Sequence, residues 1–449
     1  MAALMSEGTV CLRRLGGDRS GAVRYGRFLH NKRVSREEMV ATAAAHTGRA
    51  ARGRHVLAIQ DTTELNFSDH EGSKRGFGVV GNGRDIGLFL HPVIVVDAGD
   101  GSPRQVGHAG GVLGLVDALI LNRPKAAPKA SRKPLRDRAR PIARRESARW
   151  IDGLRSADRE LGAAKMVTVI ADAECDIYEG FAEPRSPQTH LIVRAAHDRA
   201  LSEGGRLFET MATGPQIVGW PIEIPAKAGQ AARKAMTRVS WRKIEVMRPT
   251  RVYGAQDSLP AKLALSAVRV EEVDPPEGLK PILWLLLTTH EVTGRADAFQ
   301  IAQWYRARWT IEQVFRTLKT GGMNIEESQV ETPEAMAKLA TAALIAALRV
   351  TQLVHARTGA TGQHLNHAMD EAAEPLVEAL VRKLEGKTEK QKCPHPKTTL
   401  ARLAWVIGRL GGWDGYDGHG YKPAGPKTMA HGLTKFDAIR FGWETRQDV

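Results

Sequence analysis

The sequence predicts an α/β fold on three observations: short apolar runs that end in carboxylates, helical segments between and after them, and a β-rich stretch set into that alternation. No fixed-period repeat is visible, which argues against solenoids and propellers. Arg24–Ala45 reads as helical, with Ser35 as an N-cap and Glu38 three residues on. His55–Gln60, closing on Asp61, reads as a buried strand, and Leu88–Asp97 as a second, preceded by glycine-rich turns. Between Arg123 and Arg145 lies a basic tract holding Lys125, Lys129, Arg132, Lys133, Arg136, Arg138 and Arg140. Pro124, Pro128, Pro134 and Pro141 forbid a continuous helix there, so the tract is expected to be an exposed loop, lying on phosphate or simply solvated.

A helix over Arg144–Leu161 leads to a third buried strand, Lys165–Ala171, which ends at Asp172, and His190–Ala195 follows as a strand. Ile217–Ile224, Thr237–Val246 and Leu263–Glu271 read as strands separated by glycine and proline. Ile282–Thr289 returns as a strand, Ala298–Lys319 reads as one long helix and Pro333–Arg357 as another, with a helical tail from Gly359. This order divides the chain into a helical region at 1–54, α/β parts at 55–199 and 284–357, a β-rich insertion at 200–283, and a helical region at 358–449.

Composition narrows the function. Lys and Arg outnumber Asp and Glu by 65 to 50, and a net charge of +15 favours a polyanionic partner such as nucleic acid. The three cysteines, Cys11, Cys175 and Cys393, are scattered and odd in number, so no disulfide framework is expected and a reducing compartment fits. The apolar runs are too short or interrupted to span a bilayer, and the start has the wrong order for a signal peptide, so a cytoplasmic protein with no membrane partner is expected.

Asp61 and Asp172 each follow a buried strand, the place where scaffolds present reactive groups. Carboxylate oxygens are the ligands that Mg²⁺ and Mn²⁺ prefer. Either aspartate alone is an ordinary turn former. A third group gives the pair meaning: on the helix Ala298–Lys319, helical spacing gathers Tyr305, Arg308, Glu312 and Lys319 on one arc, beside an apolar stripe of Trp304, Ile311, Val314, Phe315 and Leu318. Arg308 and Glu312 also have ordinary i,i+4 ion-pair spacing. A carboxylate flanked by an arginine and a lysine nonetheless suits metal-dependent phosphoryl transfer.

The pattern Tyr305-x-x-Arg308-x-x-x-Glu312 followed by Lys319 resembles the Tyr-Arg-Glu-Lys signature of the insertion-sequence-four family of DDE transposases. Gln60-Asp61-Thr62-Thr63-Glu64-Leu65 resembles the family's first-aspartate motif, and Ala171-Asp172-Ala173-Glu174-Cys175-Asp176-Ile177-Tyr178 its second. The resemblance covers nearly the whole chain after about residue 20. It implies a ribonuclease-H-like catalytic core interrupted by a β-strand insertion, with helical N- and C-terminal regions. It further implies cut-and-paste DNA transposition, with Asp61, Asp172 and Glu312 as the catalytic residues binding two Mg²⁺ ions, for which Mn²⁺ substitutes. Tyr305, Arg308 and Lys319 would hold phosphates near the transposon end. Trp284 would stack on a flipped base, against the plain alternative of a core aromatic, and Arg194 would be a further DNA contact. Asp176 is a supporting carboxylate or a helix cap. The implied partners are double-stranded DNA, as transposon ends and target, and a second copy paired through the C-terminal helices, in a cytoplasmic, nucleoid-associated setting. The matching region begins only near Gly17, so a shortened N-terminal DNA-binding region is expected.

Two other motifs fail. Leu384-Glu-Gly-Lys-Thr388 lacks the first glycine of a nucleotide loop, with Val381 in its place and no strand before it, and Cys393-Pro-His395 lacks the second pair of a zinc site. The alternatives are a truncated or inactive transposase that binds DNA and inhibits transposition, and a ribonuclease-H-like nuclease that shares the carboxylates without joining strands.

Overall fold

The computed structural model describes residues 3–4, 8–81, 83–99, 110–123, 142–213, 217–224, 233–250, 259–279, 281–369, 371–415 and 422–447. The basic side chains named above from Lys125 to Arg140 lie outside the described residues. Helices α1 (Leu12–Gly16), α2 (Arg19–His30) and α3 (Arg36–Ala51) precede strands β1 (His55–Gln60), β2 (Thr63–Asn66), β3 (Gly78–Val79), β4 (Ile86–Asp97) and β5 (Val112–Leu121). Then come α4 (Ala148–Glu160), β6 (Met166–Ala171), α5 (Tyr178–Ala182), β7 (Thr189–Arg194) and α6 (Leu207–Ala212). Strands β8 (Ile217–Ile224), β9 (Arg233–Met247), β10 (Lys262–Glu272) and β11 (Leu283–Thr288) lead into α7 (Arg295–Arg306), α8 (Trp309–Lys319) and α9 (Pro333–Ala356). Helices α10 (Glu374–Leu384), α11 (Leu400–Leu410) and α12 (Pro426–Gln447) complete the chain.

These strands form one mixed sheet in the order β2-β4-β1-β6-β7-β11-β10-β9-β8, with β3 and β5 also paired to β4. Neighbours β1, β6 and β7 run parallel. The remaining pairs, from β5 through β4 to β1 and from β7 through β11 to β8, are antiparallel. Strands β1 and β6 are buried on both faces, which is why they read as largely apolar runs, with Thr168 of β6 buried against His55 and His290. Leu57, Ile59, Ile94 and Ile170 face one core with Ile311, Val314 and Leu339, while Val56, Ala58, Val93 and Val169 face another with Trp150, Leu154 and Ala157. Helix α4 thus covers one face, and α7, α8 and α9 cover the other.

Strands β1 and β2 pair in succession with the same partner, β4. Gln60 stands opposite Val93 and Thr63 opposite Leu90, so Asp61 and Thr62 occupy a two-residue break in the ladder facing Pro92 and His91.

The structure departs from the sequence reading in several places. The stretch read as one helix, Arg24–Ala45, is two: α2 ends at His30, and Ser35 caps α3 by accepting from the Glu38 amide at 3.1 Å. Strand β5 was not foreseen. The helix read across Ala298–Lys319 is interrupted, because Ala307, Arg308, Thr310 and Ile311 donate to the carbonyls three residues back, tightening the turn between α7 and α8. The strands read between 217 and 271 do form, and they continue the main sheet beyond β11. The apolar run near Ala342–Leu348, read as too short to span a bilayer, belongs to α9, a helix of 24 residues that is long and apolar enough to do so. It is apolar around its circumference because it is the central helix of the fold, packed by α8, β5, α11, α12, α3 and α2.

Candidate active site

Three elements converge at the carboxyl ends of β1 and β6. The parallel register places Ile59 beside Ile170, which carries Asp61 and Asp172 to the ends of neighbouring strands side by side. Each aspartate turns one oxygen back to the chain. Oδ1 of Asp61 accepts from the Thr62 amide at 2.8 Å, and Oδ1 of Asp172 accepts from the Glu174 amide at 2.9 Å. Opposite them, Arg308 donates through Nη1 to Oδ2 of Asp61 and through Nη2 to Oε1 of Glu312, both at 2.7 Å. Glu312 lies in the first turn of α8, where the helix dipole favours a carboxylate, and its side chain remains 45% exposed. The Asp61 side chain is 16% exposed.

Burial pushes the Asp61 carboxyl up to about 6; Arg308 opposes the shift and the charges of Asp172 and Glu312 add to it. A carboxyl in that condition is short of positive charge. Asp61, Asp172 and Glu312 offer only hard oxygen donors, a set that fits Mg²⁺ or Mn²⁺. As it stands, however, no group of three or more His, Cys, Asp or Glu side chains among the described residues is arranged to hold an ion. The Arg308 guanidinium lies between two of the three carboxylates, so an ion taken by Asp61 and Glu312 competes with it for the same oxygens.

The other residues singled out from the sequence divide. Tyr305 is buried and contributes to the electrostatics of Arg308, and burial raises its phenol. Lys319, at the far end of α8, pairs with Glu326 at 3.2 Å, and Glu326 in turn accepts from the Asn66 amide in β2. Arg194 is exposed at the end of β7 and donates to the Leu283 carbonyl at 3.1 Å. Trp284 is only 7% exposed and packs edge-on against Tyr305 and Trp309, with ring centroids 5.4 and 6.0 Å away. In this arrangement its face is not open to a base. Asp176 is buried, ion-paired with Arg199 and accepts from the Ala196 and His197 amides, so it ties the turn after β6 to the loop after β7.

Sequence reasoning missed Arg149, Thr62 and His91. Arg149 on α4 donates through Nε to Thr62 Oγ1 at 3.0 Å and through Nη2 to Glu174 Oε2 at 2.6 Å, touching the segments that carry both aspartates. Nothing in a single sequence signals this contact, since 87 residues separate Arg149 from Thr62 and helix α4 reads simply as amphipathic.

Residues 129–349 match the family described as the Transposase DDE domain, a span that includes Asp172, Arg308 and Glu312 and leaves Asp61 outside. The mixed sheet with helices on both faces is consistent with a ribonuclease-H-like DDE domain. The match supports placing the chain among the DDE transposases.

Proposed function

We propose that the protein is a cut-and-paste transposase of the Tyr-Arg-Glu-Lys type, cleaving DNA strands at transposon ends and joining them to target DNA. Asp61, Asp172 and Glu312 are its catalytic carboxylates. The observation that carries this reading is the in-register placement of Asp61 and Asp172 at adjacent strand ends, with Glu312 tied to Asp61 through Arg308. Asp61, Asp172 and Glu312 would hold two Mg²⁺ ions, or Mn²⁺ in their place, which would supply activation of the attacking oxygen and charge stabilisation at the leaving oxygen. The chain's own contribution is to orient the DNA. Arg308, once drawn from Asp61 and Glu312, grips a phosphate with two parallel hydrogen bonds. Lys319 and Arg194 hold phosphates near the transposon end, whereas Tyr305 reaches a phosphate, and Trp284 a flipped base, only if each moves from its present packing. Residues 55–199 and 284–357 form the catalytic core and 200–283 an insertion. Residues 1–54 contribute to DNA binding, and 358–449 pair two subunits on the two ends.

The test is to incubate purified protein, Mg²⁺ and a supercoiled target with linear DNA carrying the sequences that flank the gene. Cleavage followed by joining supports the proposal, provided that Glu312→Gln abolishes both while DNA binding persists. Nicking without joining points to a nuclease, and binding without cleavage to an inhibitor of transposition. Cleavage by Glu312→Gln would remove Glu312 from the chemistry.

A further inference from the structure

We infer that Arg149 is the positioning residue that sets the separation of Asp61 and Asp172, an inference that rests on reading those two as the reactive carboxylates. The break between β1 and β2 is the weak point of the site, because Asp61 and Thr62 lie where the strand leaves its ladder and no sheet pairing holds them. A hydrogen-bonded circuit does so instead. Arg149 donates to Thr62 Oγ1 at 3.0 Å; Thr62 Oγ1 lies 2.8 Å from His91 Nδ1; His91 Nε2 lies 3.2 Å from Gln60 Oε1; and Gln60 Nε2 donates to the Trp150 carbonyl at 3.2 Å. Trp150 is the neighbour of Arg149, so the circuit closes on the first turn of α4.

Only one ordering of protons satisfies this circuit. The Trp150 carbonyl can only accept, so Gln60 turns its amide nitrogen to it and its Oε1 to His91 Nε2. A neutral His91 therefore donates from Nε2 and accepts at Nδ1 the single proton of Thr62, whose oxygen also accepts from Arg149. Gln60 and His91 are fully buried, and burial pushes the His91 imidazole down to about 3, which keeps it neutral and able to accept at Nδ1. Gly153 provides the room, since a Cβ there would come within 2.3 Å of Gln60 Oε1.

The second arm of Arg149 reaches Glu174, whose own amide holds Oδ1 of Asp172, just as the Thr62 amide holds Oδ1 of Asp61. One side chain therefore grips the residue that orients each aspartate. Its third nitrogen, Nη1, donates to the Glu146 carbonyl at 2.9 Å, and the side chain is 10% exposed. With all three nitrogens engaged, Arg149 is built to brace the site and not to bind substrate.

The test compares the full chain with Arg149→Lys, which keeps the charge and loses the fork, and with Glu174→Gln, whose exposed side chain makes misfolding no obstacle. In ¹⁵N-histidine spectra, His91, assigned by its loss in His91→Gln, should show the Nε2–H form in the wild type and a mixture in Arg149→Lys. Mn²⁺ affinity, read by calorimetry, should fall ~10–100-fold in Arg149→Lys, the loss typical when a partner that orients a metal ligand is removed, and by less in Glu174→Gln. A wild-type His91 protonated on Nδ1 overturns the circuit and leaves the functional reading intact. Unchanged Mn²⁺ affinity in both variants overturns the positioning role. Mn²⁺ binding that Asp61→Asn and Asp172→Asn leave intact would instead sink the functional reading, and this inference with it.

Discussion

At the scale of single residues, Asp61 meets two opposed demands. Burial raises its carboxyl from the usual 3.8 to about 6. A carboxyl whose pKa is higher in the folded than in the unfolded chain takes up a proton on folding between those values. The metal-free protein therefore loses stability as pH rises through that window, by about 3 kcal/mol once pH exceeds 6. Asp61→Asn is neutral at every pH. In EDTA it is expected to unfold at higher urea than the wild type at pH 7.5, with the gap closing near pH 4. Equal midpoints at pH 7.5 would show that the charged carboxylate is not buried at a cost. The same group bears on ion binding under the proposed function. Mn²⁺ added at pH 6 should displace a substantial fraction of a proton from Asp61, and far less at pH 8. Calorimetry in buffers of different ionisation enthalpy counts those protons, and a count that does not change with pH would take Asp61 out of the ligand set.

Single elements decide how Trp284 is to be understood. Its ring wedges between Tyr305 on α7 and Trp309 on α8, at the place where the helix tightens and Arg308 turns to Asp61. A core aromatic in that position costs about 3–5 kcal/mol when cut to alanine, whereas a ring waiting on the surface for a base costs little. Trp284→Ala is thus expected to lower the urea midpoint sharply in the absence of DNA; an unchanged midpoint would restore the stacking role as its main one. The tightened turn also shows where the sequence stops being legible. Buried strands β1 and β6 are legible because burial on both faces leaves almost only apolar residues between their ends, Thr168 excepted. The break after Arg306 has no glycine or proline to announce it, and the ring that packs beside it, Trp284, comes from a strand distant in sequence. Strand β5 was hidden for a related reason. Its Gly114 sits at a bulged register, where a Cβ would come within 2.2 Å of Thr47 Oγ1, so close approach of α3 replaces the alternation that a strand would show. The site divides along the same line. Asp61 and Asp172 were singled out by their places after buried strands and Glu312 by its helical spacing with Arg308, whereas Arg149 and His91 touch these segments only through tertiary contacts.

Across the whole molecule, individual contacts sit within the field of a net charge of +15. Under the proposed function the chain must hold a long polyanion while the proposed catalytic carboxylates, themselves negative, approach a phosphate. A basic surface meets that requirement by releasing counterions from DNA, at a rate of about 0.9 in the logarithmic salt slope for each phosphate neutralised. With six to ten such contacts, affinity for duplex DNA should fall by about 10³–10⁵ between 50 and 200 mM salt. Variants separate the field from the site within it. Arg308→Ala removes one proposed phosphate contact and should flatten the slope by about one unit, while Glu312→Gln touches no phosphate and should leave it unchanged. Fluorescence anisotropy with a labelled duplex at four or five salt concentrations measures all three slopes. A flat response in the wild type would mean that the basic surface does not carry the DNA. A slope unchanged in Arg308→Ala would mean that its guanidinium stays with Asp61 and Glu312 when DNA binds.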